Sequence, residues 1–79
     1  MKPQTADRLQ DIFRAVFEFP AGADMIGLRQ MNTPAWDSLA HVALVTAIES
    51  EFGVSLDAAD QLQMTSYTTT ALLLEDRGL

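Results

Sequence analysis

The chain has no cysteine, one histidine, one tryptophan and only five basic residues among 79. Without thiols, neither disulfides nor thiolate metal sites can hold the fold, so the core must come from the 48% of residues that are hydrophobic. A single histidine cannot assemble a metal centre. Five Lys and Arg against eleven Asp and Glu leave a net charge of −6. That balance repels phosphate backbones and leaves no basic stripe for nucleic acid. No apolar run approaches the roughly 20 residues of a membrane span. The start, Lys2-Pro3-Gln4-Thr5, lacks the apolar core of a signal peptide. The expectation is a protein of the reducing cytoplasm without a membrane span.

What the chain does have is helical periodicity. At this length it is expected to form one domain over residues 1–79 that buries roughly 60% of the surface its unfolded form exposes. No repeat, low-complexity tract or shift of composition divides it. Leu9, Ile12, Phe13, Val16 and Phe17 follow the spacing of a helix that buries one face. This predicts a first helix from Thr5 to Phe19, with Arg8, Gln10, Asp11 and Arg14 on the opposite side and Pro20 with Gly22 as terminators. A second helix is predicted over Ser38 to Phe52, with Leu39, Val42, Val45, Ile48 and Phe52 on one face and Gly53 as a left-handed cap. A short helix follows from Ala58 to about Leu62, and Thr65-Ser66 caps a last one carrying Tyr67, Thr70, Ala71 and Leu74. Thr68 to Thr70 weaken that helix by a few tenths of a kcal/mol each, which packing must offset.

The connection from Pro20 to Trp36 is longer than most helix-to-helix links. Met25, Ile26, Leu28 and Met31 are apolar enough to pack it down as an ordered loop with one short helical turn. Trp36 is either a lid over that loop or an exposed contact, and the apolar area of its ring favours burial. The fold class expected is all-α: a small bundle of three main helices plus one short helix, with a long ordered loop between helices one and two.

The segment Trp36-Asp37-Ser38-Leu39 places a hydroxyl where the loop gives way to the second helix. By itself an Asp-Ser pair there reads as a helix cap. His41 lies one turn after Ser38, and with Asp37 it suggests a hydrolase triad. One helix turn cannot bring serine, imidazole and acid into line, and 79 residues offer no water-excluding pocket. Catalysis is therefore not expected, and His41 is read as an exposed or solvated side chain. Glu49, Glu51, Asp57 and Asp60 gather near the end of helix two, either as a solvated face or as a docking surface for basic partners.

Together, the WDSL segment, the LAHVALVTAIESEFG helix after it, and the GVSL and MTSY segments resemble the acyl carrier protein family over nearly the whole chain. The resemblance implies that Ser38 bears a covalent 4'-phosphopantetheine arm drawn from coenzyme A. It also implies that Asp37 helps hold the Mg²⁺ used by a phosphopantetheinyl transferase and that Leu39 is an apolar contact at the rim. The arm holds acyl intermediates as thioesters and presents them to the loading and transferring enzymes of fatty acid, polyketide or related biosynthesis. Trp36, Leu39, His41, Val42 and Glu49 are the implied partner contacts, and Val45, Ile48, Leu62 and Met64 the implied acyl-pocket lining. Ala40, His41 and Ala43 stand where fatty-acid carriers are densely acidic. Pro34 and Trp36 replace the usual small residues, as in carriers of specialised pathways. A monomer is expected. Two alternatives stay open: an aminoacyl or peptidyl carrier, and an unmodified helical adaptor that binds basic partners.

Overall fold

The computed structural model describes residues 1–19 and 24–79. Four α-helices follow in the order α1 (Pro3–Phe17), α2 (Ser38–Phe52), α3 (Ala58–Gln63) and α4 (Tyr67–Asp76), with one 3-10 turn, Gln30–Asn32, in the long connection. Among the described residues there is no strand, only an isolated bridge between Arg29 and Ser66. The fold is an all-α bundle of three main helices and one short one. No helix among the described residues is long and apolar enough to cross a membrane.

Helix α1 begins two residues earlier than the periodicity predicts, because Pro3 fits the first helical position, where its missing N–H would be unpaired anyway. Leu9, Phe13 and Phe17 are buried, with Ile12 and Val16 half-buried beside them. The helix also stops earlier than expected, at Phe17. Glu18 turns left-handed at φ 58° and its N–H closes the last turn on the Arg14 carbonyl. Pro20 and Gly22, the expected terminators, lie outside the described residues.

Helix α2 has the predicted bounds, but its inner face is rotated from the predicted one. Leu44, Val45 and Ile48 are buried and Phe52 is half-buried, whereas Leu39 is 80% exposed and Val42 is 61% exposed. The physical reason is that the first half of α2 is apolar on nearly every side. Spacing alone then supports two overlapping stripes, and the packing of α1 selects the one that includes Leu44. Gly53 caps the helix at φ 65°, as its conformational freedom predicts.

Main-chain bonds anchor the long loop. The Gln30 amide donates to the Thr65 carbonyl at 2.8 Å and the Tyr67 amide to the Leu28 carbonyl at 3.1 Å, which ties the loop to the start of α4. Met25 is buried and Leu28 half-buried, as expected, but Ile26 and Met31 are 76% and 90% exposed. Because backbone pairing holds the segment down, those two side chains are not needed in the core.

Local capping starts the short elements. Asp57 and Asp60 exchange side-chain to backbone bonds at the head of α3, and Ser66 and Thr69 do the same at α4. The three threonines of α4 each find an acceptor. Thr69 bonds within the cap, Thr70 donates to the Ser66 carbonyl at 2.8 Å, and Thr68 donates to the Ile26 carbonyl at 3.5 Å. The packing their weak helicity requires comes from the buried side of α4: Tyr67, Thr70, Leu73 and Leu74.

At the centre of the core Phe13 lies edge-on to both Trp36 and Tyr67, with ring centroids 5.6 and 5.3 Å away. These aromatic contacts are the arrangement that ring quadrupoles favour.

Two backbone substitutions are expected to move stability in opposite directions. A Cβ added at Gly53 meets nothing within 4 Å, so Gly53→Ala should lose about 1 kcal/mol purely from the left-handed conformation, while Glu18→Gly should gain roughly 0.5 kcal/mol by relieving the same strain. Urea midpoints measure both. The Asp60 carboxyl is held below the usual carboxylate range by the Asp57 backbone N–H and then by the Arg77 guanidinium. A depressed carboxylate stabilises the fold above its ordinary titration range and stops doing so as pH falls through its lowered one. The stability gap between wild type and Asp60→Asn should therefore shrink on acidification, as urea unfolding at neutral and strongly acid pH would register.

Candidate functional site

The loop-to-α2 junction is built from Trp36 outward. The Trp36 amide donates to the Thr33 carbonyl at 2.9 Å, and its ring is only 3% exposed. Phe13 and Phe17 of α1 enclose it, the Phe17 centroid at 5.1 Å. Trp36 is therefore the lid, not a surface for partners: the gain from burying its ring decides between the two expectations.

The indole still carries a proton that burial would leave unpaired, and it donates to Nδ1 of His41 at 2.9 Å. The other imidazole nitrogen, Nε2, stands 3.0 Å from the carbonyl oxygen of Gln61 in α3. Since Nδ1 accepts, the imidazole proton sits on Nε2 and is donated to Gln61. The expectation that His41 is solvated is corrected here. It is half-buried, stacked near the indole with centroids 6.2 Å apart, and it joins the loop, α2 and α3 through one ring. The same assignment rules it out as the base of a triad, because both nitrogens are occupied away from Ser38.

Asp37 is the residue before α2, and its carboxylate accepts from the Ala40 amide at 2.8 Å. The aspartate therefore supplies the cap. Ser38 is the first helical residue, exposed, and its hydroxyl has no hydrogen-bond partner among the described residues. Of the amides that a helix start leaves open, that of Ala40 meets the Asp37 carboxylate at 2.8 Å, while that of His41 already makes the first regular helical bond, to the Asp37 carbonyl at 2.9 Å. The Ser38 and Leu39 amides remain, together with the positive end of a 15-residue helix. An anion placed at the helix start would find two unpaired N–H donors there, and no side chain would have to give up a bond. Leu39 and Val42 form an exposed apolar strip beside the serine.

The other expected site residues divide. Val45, Ile48 and Met64 are buried together in the core, but Leu62 is 79% exposed on α3 and cannot line a pocket with them. None of the six residues of α3 is fully buried. One carboxylate oxygen of Glu49 accepts from the Leu56 amide at 2.8 Å and closes the turn after α2, so the expected docking residue also has a structural role. Its neighbours are also committed. Glu51 accepts from Arg8 at 2.9 Å, Asp57 and Asp60 form the α3 cap, and Asp60 pairs with Arg77. Pairing and capping absorb an acidic cluster that looks continuous in sequence. Of these roles only the cap had a local signal, the Asp-x-x-Asp spacing at Asp57 and Asp60. Neither the His41 relay nor the Glu49 turn has one.

No family model, no curated protein and no solved structure matches this chain.

Replacing His41 by Phe preserves a ring but strands the indole N–H and the Gln61 carbonyl. The expected cost is about 1–3 kcal/mol, the range for a buried group left unsatisfied, measured by urea unfolding. In the wild-type protein, long-range ¹H–¹⁵N spectra of the single histidine should show the proton on Nε2. A proton on Nδ1 would contradict the relay.

Proposed function

We propose that this protein is a carrier whose Ser38 is converted to a phosphopantetheinyl serine and which then presents thioester-bound acyl groups to partner enzymes. The single observation that carries the reading is the Ser38 hydroxyl: exposed, uncommitted and set at the start of a long helix whose cap is supplied by its neighbour. Had Ser38 been the cap, modification would have cost the helix about 1 kcal/mol. With Asp37 in that role, the hydroxyl can change without loss.

In the modification the Ser38 oxygen attacks the pantetheine-bearing phosphorus of coenzyme A. The bond from that phosphorus to the nucleotide breaks, the nucleotide leaves with the electron pair, and the serine proton passes to a base of the transferase. This chain contributes three things. Asp37 keeps one carboxylate oxygen on Ala40, which leaves the other for the transferase's Mg²⁺. The free Ser38 and Leu39 amides receive the phosphate charge. The His41 bonds hold the first turn of α2 against the loop and α3, so that the serine is presented from a fixed frame. When bound, the arm supplies a mobile thiol, which a chain without cysteine lacks.

The apolar strip of Leu39 and Val42 beside Ser38 is the surface by which enzymes would recognise the carrier. Pro34 and Trp36 ahead of the serine favour a specialised pathway over general fatty acid synthesis, with an aminoacyl or peptidyl cargo as the second reading. An unmodified adaptor is the competing class.

Incubation with coenzyme A, Mg²⁺ and a broad-specificity phosphopantetheinyl transferase should add the mass of one phosphopantetheinyl group, seen by intact mass spectrometry. Ser38→Ala should abolish the gain. No gain on the wild-type protein would favour the adaptor, and a gain that survives Ser38→Ala would move the site elsewhere.

A further inference from the structure

Away from Ser38, a groove of about 810 Å³ opens between the loop and the start of α4, within the roughly 300–1,000 Å³ typical of small-ligand sites. Two kinds of surface meet in it. Ile26 and Met31 give it apolar walls although both are largely exposed, a lining that could cover a hydrocarbon body. Arg29 gives it a cation.

The state of that cation is the informative point. The chain has four arginines, and Arg8, Arg14 and Arg77 are each paired with a carboxylate, respectively Glu51, Asp11 and Asp60. Arg29 has no carboxylate partner among the described residues, in a protein with more than twice as many acidic as basic residues. Asp24, five residues earlier in the chain, accepts from the Ile26 amide at 2.9 Å within its own loop. Among the polar lining residues, Ser66 and Thr69 are spent on the α4 cap. Gln30 and Thr65 remain to assist a ligand's head group.

We infer that this groove binds an amphipathic monocarboxylate: a carboxylate head forked onto Arg29, with a hydrocarbon body laid between Ile26 and Met31. The guanidinium matches a carboxylate in two-point geometry. The apolar walls reward a hydrocarbon that a bare anion does not offer. A net charge of −6 penalises a doubly charged head group more than a singly charged one, which argues against phosphate. The inference does not rest on the carrier reading, because the groove includes neither Ser38 nor the Leu39 and Val42 strip.

The test is a ¹H–¹⁵N titration of the full chain with octanoate below its micelle concentration. Amides of residues 26–31 and 65–69 should shift together and saturably. Arg29→Gln should weaken binding by at least about fivefold and Arg29→Lys by less, since a lysine keeps the charge but loses the fork. Octanol and inorganic phosphate, each carrying half of the recognition, should both bind at least about fivefold more weakly than octanoate. Arg29, the substituted position, is exposed, so an unchanged unfolding midpoint would certify that its variants fold. The proposal is overturned if octanoate shifts other residues, if octylamine or octanol binds as well as octanoate, or if Arg29→Gln has no effect. Because it involves no modification, failure here leaves the Ser38 mass experiment unaffected, and the reverse holds too.

Discussion

The burial of one indole governs how this molecule is assembled. Trp36 could not leave water without a partner for its N–H, and the partner it takes, His41, sits one turn into the helix that follows. The apolar gain from a ring enclosed by Phe13 and Phe17 is therefore joined to a polar bond that fixes where the loop ends and α2 begins. His41 passes the constraint on to α3 through Gln61. Asp37 and Ser38 lie between the two ends of this bridge. Their exposure follows from it: the chain dives inward at 36 and returns at 41, and the residues between are held outside.

Much of the architecture could be read from the residues, and the reasons for the rest are specific. The bounds of α2, its glycine cap, the short α3, and the Ser66 start of α4 all depend on local rules of spacing and capping, and the structure keeps each of them. Helix α1 was legible on its buried face but not at its end, since nothing in sequence marks Glu18 as a residue that accepts a left-handed backbone. The inner face of α2 was misread because a helix start of Leu, Ala and Val offers no polar side to exclude. The only polar marker there, His41, faces inward for a tertiary reason. Ile26 and Met31 were expected in the core on composition, and backbone pairing made their burial unnecessary. At the site, the exposed serine beside a capping aspartate was legible. The Trp36–His41–Gln61 relay was not, because its partners are brought together only by folding.

The charge of the chain is similarly redistributed. Four carboxylates near the end of α2 give the sequence an acidic patch, yet each serves an internal role: a turn closed by Glu49, a bridge from Glu51 to α1, and the paired cap of Asp57 and Asp60. Exposed single ion pairs contribute little to stability. Bonds from carboxylates to backbone amides are stronger and fix geometry. The surface that remains distinctive near Ser38 is apolar, Leu39 and Val42, with the long-range field of the protein behind it.

The seam between the long loop and α4 has a dynamic consequence. Two main-chain bonds, which together make the isolated bridge, and the Thr68 hydroxyl join these segments, and the threonine-rich helix start has little intrinsic propensity of its own. The loop and the first turn of α4 therefore form one cooperative unit, which opens or stays closed together. A molecule seated on either side of that seam would be felt on the other, and Tyr67, whose amide donates to Leu28 and whose ring packs against Phe13, ties the seam to the aromatic core.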